Sequence, residues 1–248
     1  MSAARPTGLL TFIGDIRSFL WGGYQTLPLT IAGALFILGI MTANWAMLFF
    51  LIGYLVAVPI LVSLTNMCVE AVFPDSWAAS FRVSRNDLCR LVIPFAGEGG
   101  DSTELVLFDK WLAMIAFLVG YLLTNAVELY KAPPKLGPAA TTEEKAAAEA
   151  AAAPRRSRAM VSMFTIVMVA VVILALRLIK TGGCVAEGAA GVISVLLTLG
   201  VFASLGGSWF LMIGGTNQNM LSDLFGIANR LLTPAAMEMS PVACLPSA

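Results

Sequence analysis

The side chains that could do chemistry are few, and histidine is absent from all 248 residues. Its absence removes histidine acid–base catalysis, Ser-His and Cys-His nucleophile pairs, histidine-ligated haem and most zinc sites. Clustered carboxylates remain, and they can bind calcium, but their spacing does not match the EF-hand loop. No GxxxxGK[ST] phosphate-binding loop occurs either. We therefore predict a solvated acidic loop, no enzyme activity, and no cofactor or metal site; the carboxylates are Asp87, Glu98, Asp101, Glu104 and Asp109.

Cysteine is the second residue type with potential chemistry. The four cysteines lack the CxxC spacing of a metal site. Cys68, Cys89 and Cys184 fall on one predicted side of the membrane segments and Cys244 falls on the other. A Cys68–Cys89 bridge would close a loop of about 20 residues, worth roughly 3 kcal/mol in the loop-entropy model. We treat this pair as a candidate disulfide, with reduced, buried thiols as the favoured alternative.

The elements that must position these side chains are membrane helices. Residues 18 to 69 contain no charged side chain. As helix, this run of 52 residues would extend roughly 78 Å, more than twice a bilayer core of about 30 Å. The whole chain is 58% hydrophobic and 12% charged, whereas an ordinary soluble domain has about 25% charged residues. The sequence therefore predicts an all-α, multi-pass integral membrane protein.

Hydropathy divides the chain into about five transmembrane helices joined by polar connections. Tyr24 and Trp45 lie at the two ends of the first span, as expected for aromatic residues at membrane interfaces. The predicted segments are an amphipathic N-terminal segment (1–23), a transmembrane hairpin (24–64), an extramembrane loop (65–110), a transmembrane helix (111–130), an alanine-rich polar linker (131–158), two transmembrane helices (159–213), and an amphipathic helix with an extended tail (214–248).

Amphipathic helices are predicted near both termini, because apolar residues recur there at helical spacing. Each such helix would lie on the membrane surface or pack on a neighbouring protein, and the sequence favours neither. The residues predicted to make these membrane-surface or partner contacts are Phe12, Ile16 and Phe19 in the first helix and Leu221, Leu224 and Phe225 in the second.

Two prolines give local predictions. Pro59 falls inside the second span and should kink that helix, freeing a carbonyl that a neighbour must satisfy. In the linker, the alanine-rich stretch from Thr141 to Ala153 resembles helical spacer sequences. We expect this stretch to end at Pro154, where a basic cluster begins.

Charge within and around the spans bears on transport and orientation. No charged residue is predicted near mid-membrane, whereas ion-coupled transporters usually need one along their path. Glu128 should reach the headgroups from the last turn of its span. Six basic residues lie within the 28 residues of the linker, which favours that side as cytoplasmic. Two faces of small residues, Gly200 with Ser204 and Ala203 with Gly207, predict close helix packing within the bundle.

Three functional hypotheses follow. The leading one is a structural membrane anchor or scaffold that binds lipids and the protein subunits of a larger assembly. A small-solute or lipid transporter is the first alternative, with Asn44, Thr124 and Asn125 lining its path. The second is a membrane enzyme that uses carboxylates and serine, and it would need a water-filled cleft lined by Asp87, Glu98 or Asp101. The 15 basic and 15 acidic residues cancel, so no charge field points to nucleic acid.

Several short stretches of the sequence resemble those of a known family. They are two spans joined by a minimal turn, the segment Ser84-Arg85-Asn86-Asp87-Leu88-Cys89, and the segment Thr216-Asn217-Gln218-Asn219 leading to Leu224-Phe225-Gly226-Ile227. Over about a quarter of its length, the chain resembles multi-pass membrane proteins of large icosahedral DNA viruses. The resemblance implies a virion protein in the internal membrane beneath the capsid, in contact with minor capsid proteins. A subunit of an organellar membrane complex would share these features and is the alternative.

Overall fold

A computed structural model describes residues 22–41, 45–84, 103–131, 142–180, 186 and 188–214. Nearly all of these residues are helical, which confirms the predicted all-α class. The elements in chain order are α1 (Leu27–Met41), α2 (Trp45–Ile52), a π-helical segment (Gly53–Ala57), α3 (Val58–Val72), α4 (Asp75–Ala78), a 3-10 turn (Ala79–Phe81), β1 (Arg82–Ser84), β2 (Thr103–Leu105), α5 (Lys110–Lys131), α6 (Thr142–Lys180) and α7 (Gly188–Gly214).

Four helical stretches in the described part of the chain are long and apolar enough to cross a membrane, and the chain is accordingly a membrane protein. A fifth apolar helix, α1, has 15 residues and would extend about 22 Å, less than a bilayer core. A helical turn at residues 22–25 precedes α1. The four long stretches are Trp45–Val72, Lys110–Lys131, Ala152–Leu178 and Gly188–Met212.

The second predicted span continues through Pro59 with a change of helix type. Proline has no N–H to donate to the carbonyl four residues earlier. The turn before Pro59 is π-helical, and the Val58 N–H donates to the Gly53 carbonyl five residues back. Gly53 also makes room for two rings, because a Cβ there would lie 2.7 Å from a Trp209 ring carbon and 2.8 Å from Phe117 Cζ. The helix then runs to Val72, eight residues beyond the predicted end at Leu64.

The expectation that the alanine-rich helix ends at Pro154 is wrong. α6 is one helix of 39 residues with Pro154 in its interior. The later part of the predicted linker and the following span therefore belong to the same continuous helix. An interior proline costs about 3 kcal/mol because it removes one backbone hydrogen bond and crowds the preceding turn. Both Pro154 and Ala150 are exposed, so water can bind the carbonyl of Ala150 that proline cannot. The alanines before Pro154 also favour helix strongly.

α5 is the central helix, and α7 packs closely along it. A Cβ on Gly120 of α5 would overlap the Ala203 carbonyl, and a Cβ on Gly206 of α7 would overlap the Phe117 carbonyl. Gly207 faces Thr124 in the same interface. The predicted contact face of Ala203 and Gly207 is therefore at a helix–helix interface. The face of Gly200 and Ser204 is not, because Gly200 has open space beside it and Ser204 is exposed.

Aromatic rings fill the space between α2, α5 and α7. Phe50 lies 4.7 Å from Tyr121, edge to face, and 5.6 Å from Phe117. Tyr121 in turn meets Phe210 of α7 at 5.2 Å. Such pairs contribute about 0.5–1.5 kcal/mol each beyond the area they bury. The contacts also show that α2 and α5 run antiparallel. One turn after Phe50, Tyr54 of the π-helical segment contacts Phe117, which lies one turn before Tyr121 in α5.

Candidate functional site

The richest polar arrangement in the described part of the chain lies where α5 begins. Residues 106–109 are all buried, and each bonds to a different element. Val106 donates its N–H to the Phe81 carbonyl at 2.9 Å, which extends the short antiparallel pairing of β1 with β2. The other three residues bond to side chains of α3, α6 and α7. We name residues 106–109 with these partners the polar junction; the partners are Phe81, Asn66, Arg177 and Ser194.

Asn66 of α3 binds the backbone of Phe108 through both halves of its amide. Its Nδ2 donates to the Phe108 carbonyl at 3.1 Å, and its Oδ1 accepts the Phe108 N–H at 3.0 Å. One side chain therefore satisfies both polar groups of a buried peptide position, as a neighbouring strand would. This pairing fixes the end of α3 against the start of α5.

Ser194 of α7 holds the preceding residue. Its hydroxyl donates to the Leu107 carbonyl at 2.6 Å. The Ser194 carbonyl accepts a hydrogen bond from the Thr198 hydroxyl, also at 2.6 Å. Both side chains are buried, and a buried carbonyl left without a donor would cost about 1–3 kcal/mol. The Ser194 hydroxyl thus connects α7 to the junction, and the Thr198 hydroxyl is satisfied within α7 one turn later.

Asp109 and Arg177 form a buried ion pair at the same place. An Arg177 guanidinium nitrogen lies 2.9 Å from Asp109 Oδ2, and the two side chains are 3% and 11% exposed. The other carboxylate oxygen accepts the Trp111 N–H at 3.1 Å, as an N-cap side chain does at the first turn of a helix. The negative charge also lies favourably at the positive end of the α5 dipole.

An aromatic pair lies beside the cation. The Arg177 guanidinium lies over the Trp111 ring, 4.9 Å from its centroid, within the range of a cation–π contact. The Tyr24 ring packs against the same Trp111 side chain, with 4.9 Å between centroids, and the Tyr24 hydroxyl donates to the Ile173 carbonyl of α6 at 2.8 Å. The ion pair is thereby shielded by residues from before α1, from α5 and from α6.

The chemistry of this arrangement is structural. Both oxygens of Asp109 are engaged, one by a cation and one by a backbone N–H, so the carboxylate is not poised to take a proton from a substrate. Asp109 was expected in a solvated acidic loop, and that expectation is wrong: the helix start that it caps is packed among three other helices. No group of three or more potential metal ligands occurs among the described residues.

The sequence-predicted site residues lie elsewhere or beyond the described ranges. Cys68 is exposed on α3, and its predicted partner Cys89 is outside the described residues, so the disulfide stays a prediction. Glu104 lies in β2. Also outside the described residues are Asp87, Glu98 and Asp101 and the amphipathic contact residues Phe12, Ile16, Phe19, Leu221, Leu224 and Phe225.

The side chains predicted to line a transport path do not form a polar face shared by several of the described helices. Thr124 donates to the Gly120 carbonyl of its own helix at 2.9 Å and packs on Gly207. Asn125 is 2% exposed, and its Nδ2 has no hydrogen-bond partner among the described residues. Asn44 lies outside those residues. Thr124 thus contributes to the packing of α5 against α7, and Asn125 is buried within the bundle.

Sequence reasoning missed the Asp109–Arg177 pair because each residue stands at a span end, where a charge normally reaches water. A signal was nevertheless present. α5 begins and α6 ends on the same predicted side, so an acid at the first position and a base at the second are at the same depth.

No protein-family model, curated protein or solved structure matches this chain.

Proposed function

We propose that the chain is a structural membrane protein that anchors or scaffolds a larger membrane-associated assembly. The observation that carries the proposal is that the buried polar groups bind one helix to another. In the polar junction, one segment is bound by Phe81, Asn66, Ser194 and Arg177. These groups hold helices to one another, as a rigid anchor requires.

The shape of α6 supports the same role. Its apolar stretch is preceded by Thr142–Arg158, a helical extension of 17 residues that is about 25 Å long. Glu143, Ala146 and Glu149 on this extension are exposed. Because the extension is continuous with the span, it would transmit force or position directly from the membrane to a bound subunit.

Two settings fit such an anchor. The resemblance to membrane proteins of large icosahedral DNA viruses favours an internal virion membrane beneath a capsid. An organellar membrane complex is the alternative setting. Transport stays the competing function, and the packing of Thr124 against Gly207 counts against it because the hydroxyl is committed to the α5–α7 interface.

Site-specific photocrosslinking in the native membrane tests the proposal. A photoreactive residue replaces Ala146 on the helical extension in one variant and Val169, exposed on the apolar part of α6, in a matched variant. A scaffold predicts protein adducts of fixed mass at Ala146 and lipid adducts at Val169. Absence of protein adducts at both positions, with the variants present at normal levels, would count against the proposal.

A further inference from the structure

We propose that the end of the bundle opposite the polar junction binds anionic phospholipid headgroups through cations that lie at one depth. Lys131 at the end of α5 and Arg156 and Arg158 of α6 form this set, which we name the basic collar. Lys131 and Arg158 are exposed and Arg156 is partly exposed. No ion pair among the described residues involves any of the three, whereas Arg82 and Arg177 both have carboxylate partners.

The antiparallel packing of α5 and α6 puts the collar cations at one depth. The Asp109–Arg177 pair and the contact of Arg177 with Trp111 set the register of the two helices. Lys131 is 22 residues after Asp109, and Arg156 is 21 residues before Arg177. At 1.5 Å per residue, both cations therefore lie about 32 Å from the buried ion pair.

That separation matches the hydrocarbon thickness of a bilayer, about 30 Å. Between the two charged layers, α6 has no charged residue from Ala159 to Leu176, and α5 has only Glu128 from Trp111 to Tyr130. The collar therefore falls at headgroup level when the polar junction lies at the opposite boundary. Two exposed aromatic residues, Tyr130 and Trp45, lie at the same end of the bundle, where interfacial aromatic residues are expected.

The sign of the charge changes with distance from the apolar stretch. Glu149 and Glu143 lie seven and thirteen residues before Arg156 on the same helix, about 10 and 20 Å further out. Electrostatic attraction to a charged surface decays over about 8 Å at physiological ionic strength. Arg156 and Arg158 are two residues apart on one helix and face different sides of it, so headgroup phosphates on either side of α6 meet a cation. Among the described residues, Glu128 is the exposed carboxylate at this depth, and the distal carboxylates are largely screened.

The ligand class follows from this geometry. Guanidinium groups bind phosphate oxygens in bidentate fashion, and basic residues beside a span attract anionic lipids. Each such residue contributes a binding free energy that corresponds to about a fivefold change in affinity. The chemistry recognised is a phosphate monoanion, and its position at the membrane boundary assigns it to a lipid and not to a soluble phosphate.

Native mass spectrometry of the full-length protein in a neutral detergent tests the assignment. Phosphatidylglycerol and phosphatidylcholine with the same acyl chains are offered in equal amounts, and sodium phosphate is offered in a parallel sample. We expect phosphatidylglycerol adducts to dominate. Arg156→Gln and Arg158→Gln should each weaken phosphatidylglycerol retention about fivefold, and the double variant more than tenfold. The matched control is Arg82→Gln, which removes an exposed arginine at the opposite end.

Three outcomes would overturn the proposal. The first is equal retention of the two lipids by the unaltered protein. The second is a loss in Arg82→Gln as large as that in Arg156→Gln, because the effect would then follow net charge and not position. The third is bound inorganic phosphate at the same stoichiometry as lipid. Thermal unfolding of each variant shows that the fold is retained, so a lost adduct reports the collar itself.

Discussion

The two charged layers of the bundle use arginine in opposite ways. At the polar junction, Arg177 is buried against a carboxylate and an aromatic ring, and it ties α6 to the start of α5. At the basic collar, Arg158 is exposed and has no carboxylate partner among the described residues. The difference shows that the arginine of the polar junction is satisfied internally, whereas the arginine of the collar is presented to its surroundings. Substitutions at the two layers should therefore differ in kind.

Replacing Arg177 should give the largest effect on stability. Arg177→Met keeps the apolar stem but leaves the buried carboxylate of Asp109 without its cation. We expect the free energy of unfolding to fall by about 3–5 kcal/mol, because an unpaired buried charge is strongly unfavourable. Reversible unfolding of the detergent-solubilised protein in dodecyl sulfate measures the change.

The double variant Asp109→Asn, Arg177→Met provides the control for that experiment. It removes both charges and retains a side chain that can cap α5, so much of the lost stability should return. A loss of less than about 1 kcal/mol in Arg177→Met would contradict the buried pairing, since exposed ion pairs are worth about that much or less.

Closing the space between α5 and α7 should have the next largest effect. A Cβ at Gly206 overlaps the Phe117 carbonyl, so Gly206→Ala must push the two helices apart. Overpacking of this kind costs about 1–3 kcal/mol. Gly200→Ala in the same helix is the matched control, because its Cβ meets open space and alanine is the better helix former. Equal destabilisation of both variants would contradict the close approach at Gly206.

Removing the amide of Asn66 isolates one contact of the polar junction. Asn66→Ala leaves the N–H and carbonyl of Phe108 without their partners, at a cost of about 1–3 kcal/mol. The adjacent residue supplies the control: Thr65 donates to the Leu61 carbonyl of its own helix, so Thr65→Ala should change stability by less than about 0.5 kcal/mol. Hydrogen exchange at Phe108 should rise in the Asn66 variant and not in the Thr65 variant.

The smallest effect on folding is expected at the collar. Arg158→Gln should alter the free energy of unfolding by less than about 0.5 kcal/mol, because the side chain is exposed and makes no ion pair with any residue that the structure describes. The same unfolding assay applies. A loss comparable to that of Arg177→Met would erase the distinction between the two layers and assign Arg158 to the internal packing of the bundle.

The fold class could be predicted because its signal is local in sequence. The charge-free run from residue 18 to 69 requires backbone hydrogen bonds to be made within the segment, and helices make them. The disturbance at Pro59 was also predictable, since the missing N–H follows from covalent structure. Its form, a π-helical turn that leaves room at Gly53 for Trp209 and Phe117, depends on side chains from α5 and α7.

The candidate site could not be predicted because its partners are distant in sequence. Asp109 and Arg177 are 68 residues apart, and each by itself has the sequence signature of a solvated end charge. The continuation of α6 through Pro154 was missed for a different reason. Proline breaks a helix when its neighbours are neutral, but here the alanines before Pro154 and the apolar span after it both favour helix.

The scaffold role is tested most directly by the mass and composition of the particle that a gentle detergent releases from the native membrane. Our account predicts one large assembly in which the chain has fixed protein partners and fixed stoichiometry. Release of the chain alone, or as a small homo-oligomer that retains the intact bundle, would contradict the scaffold role.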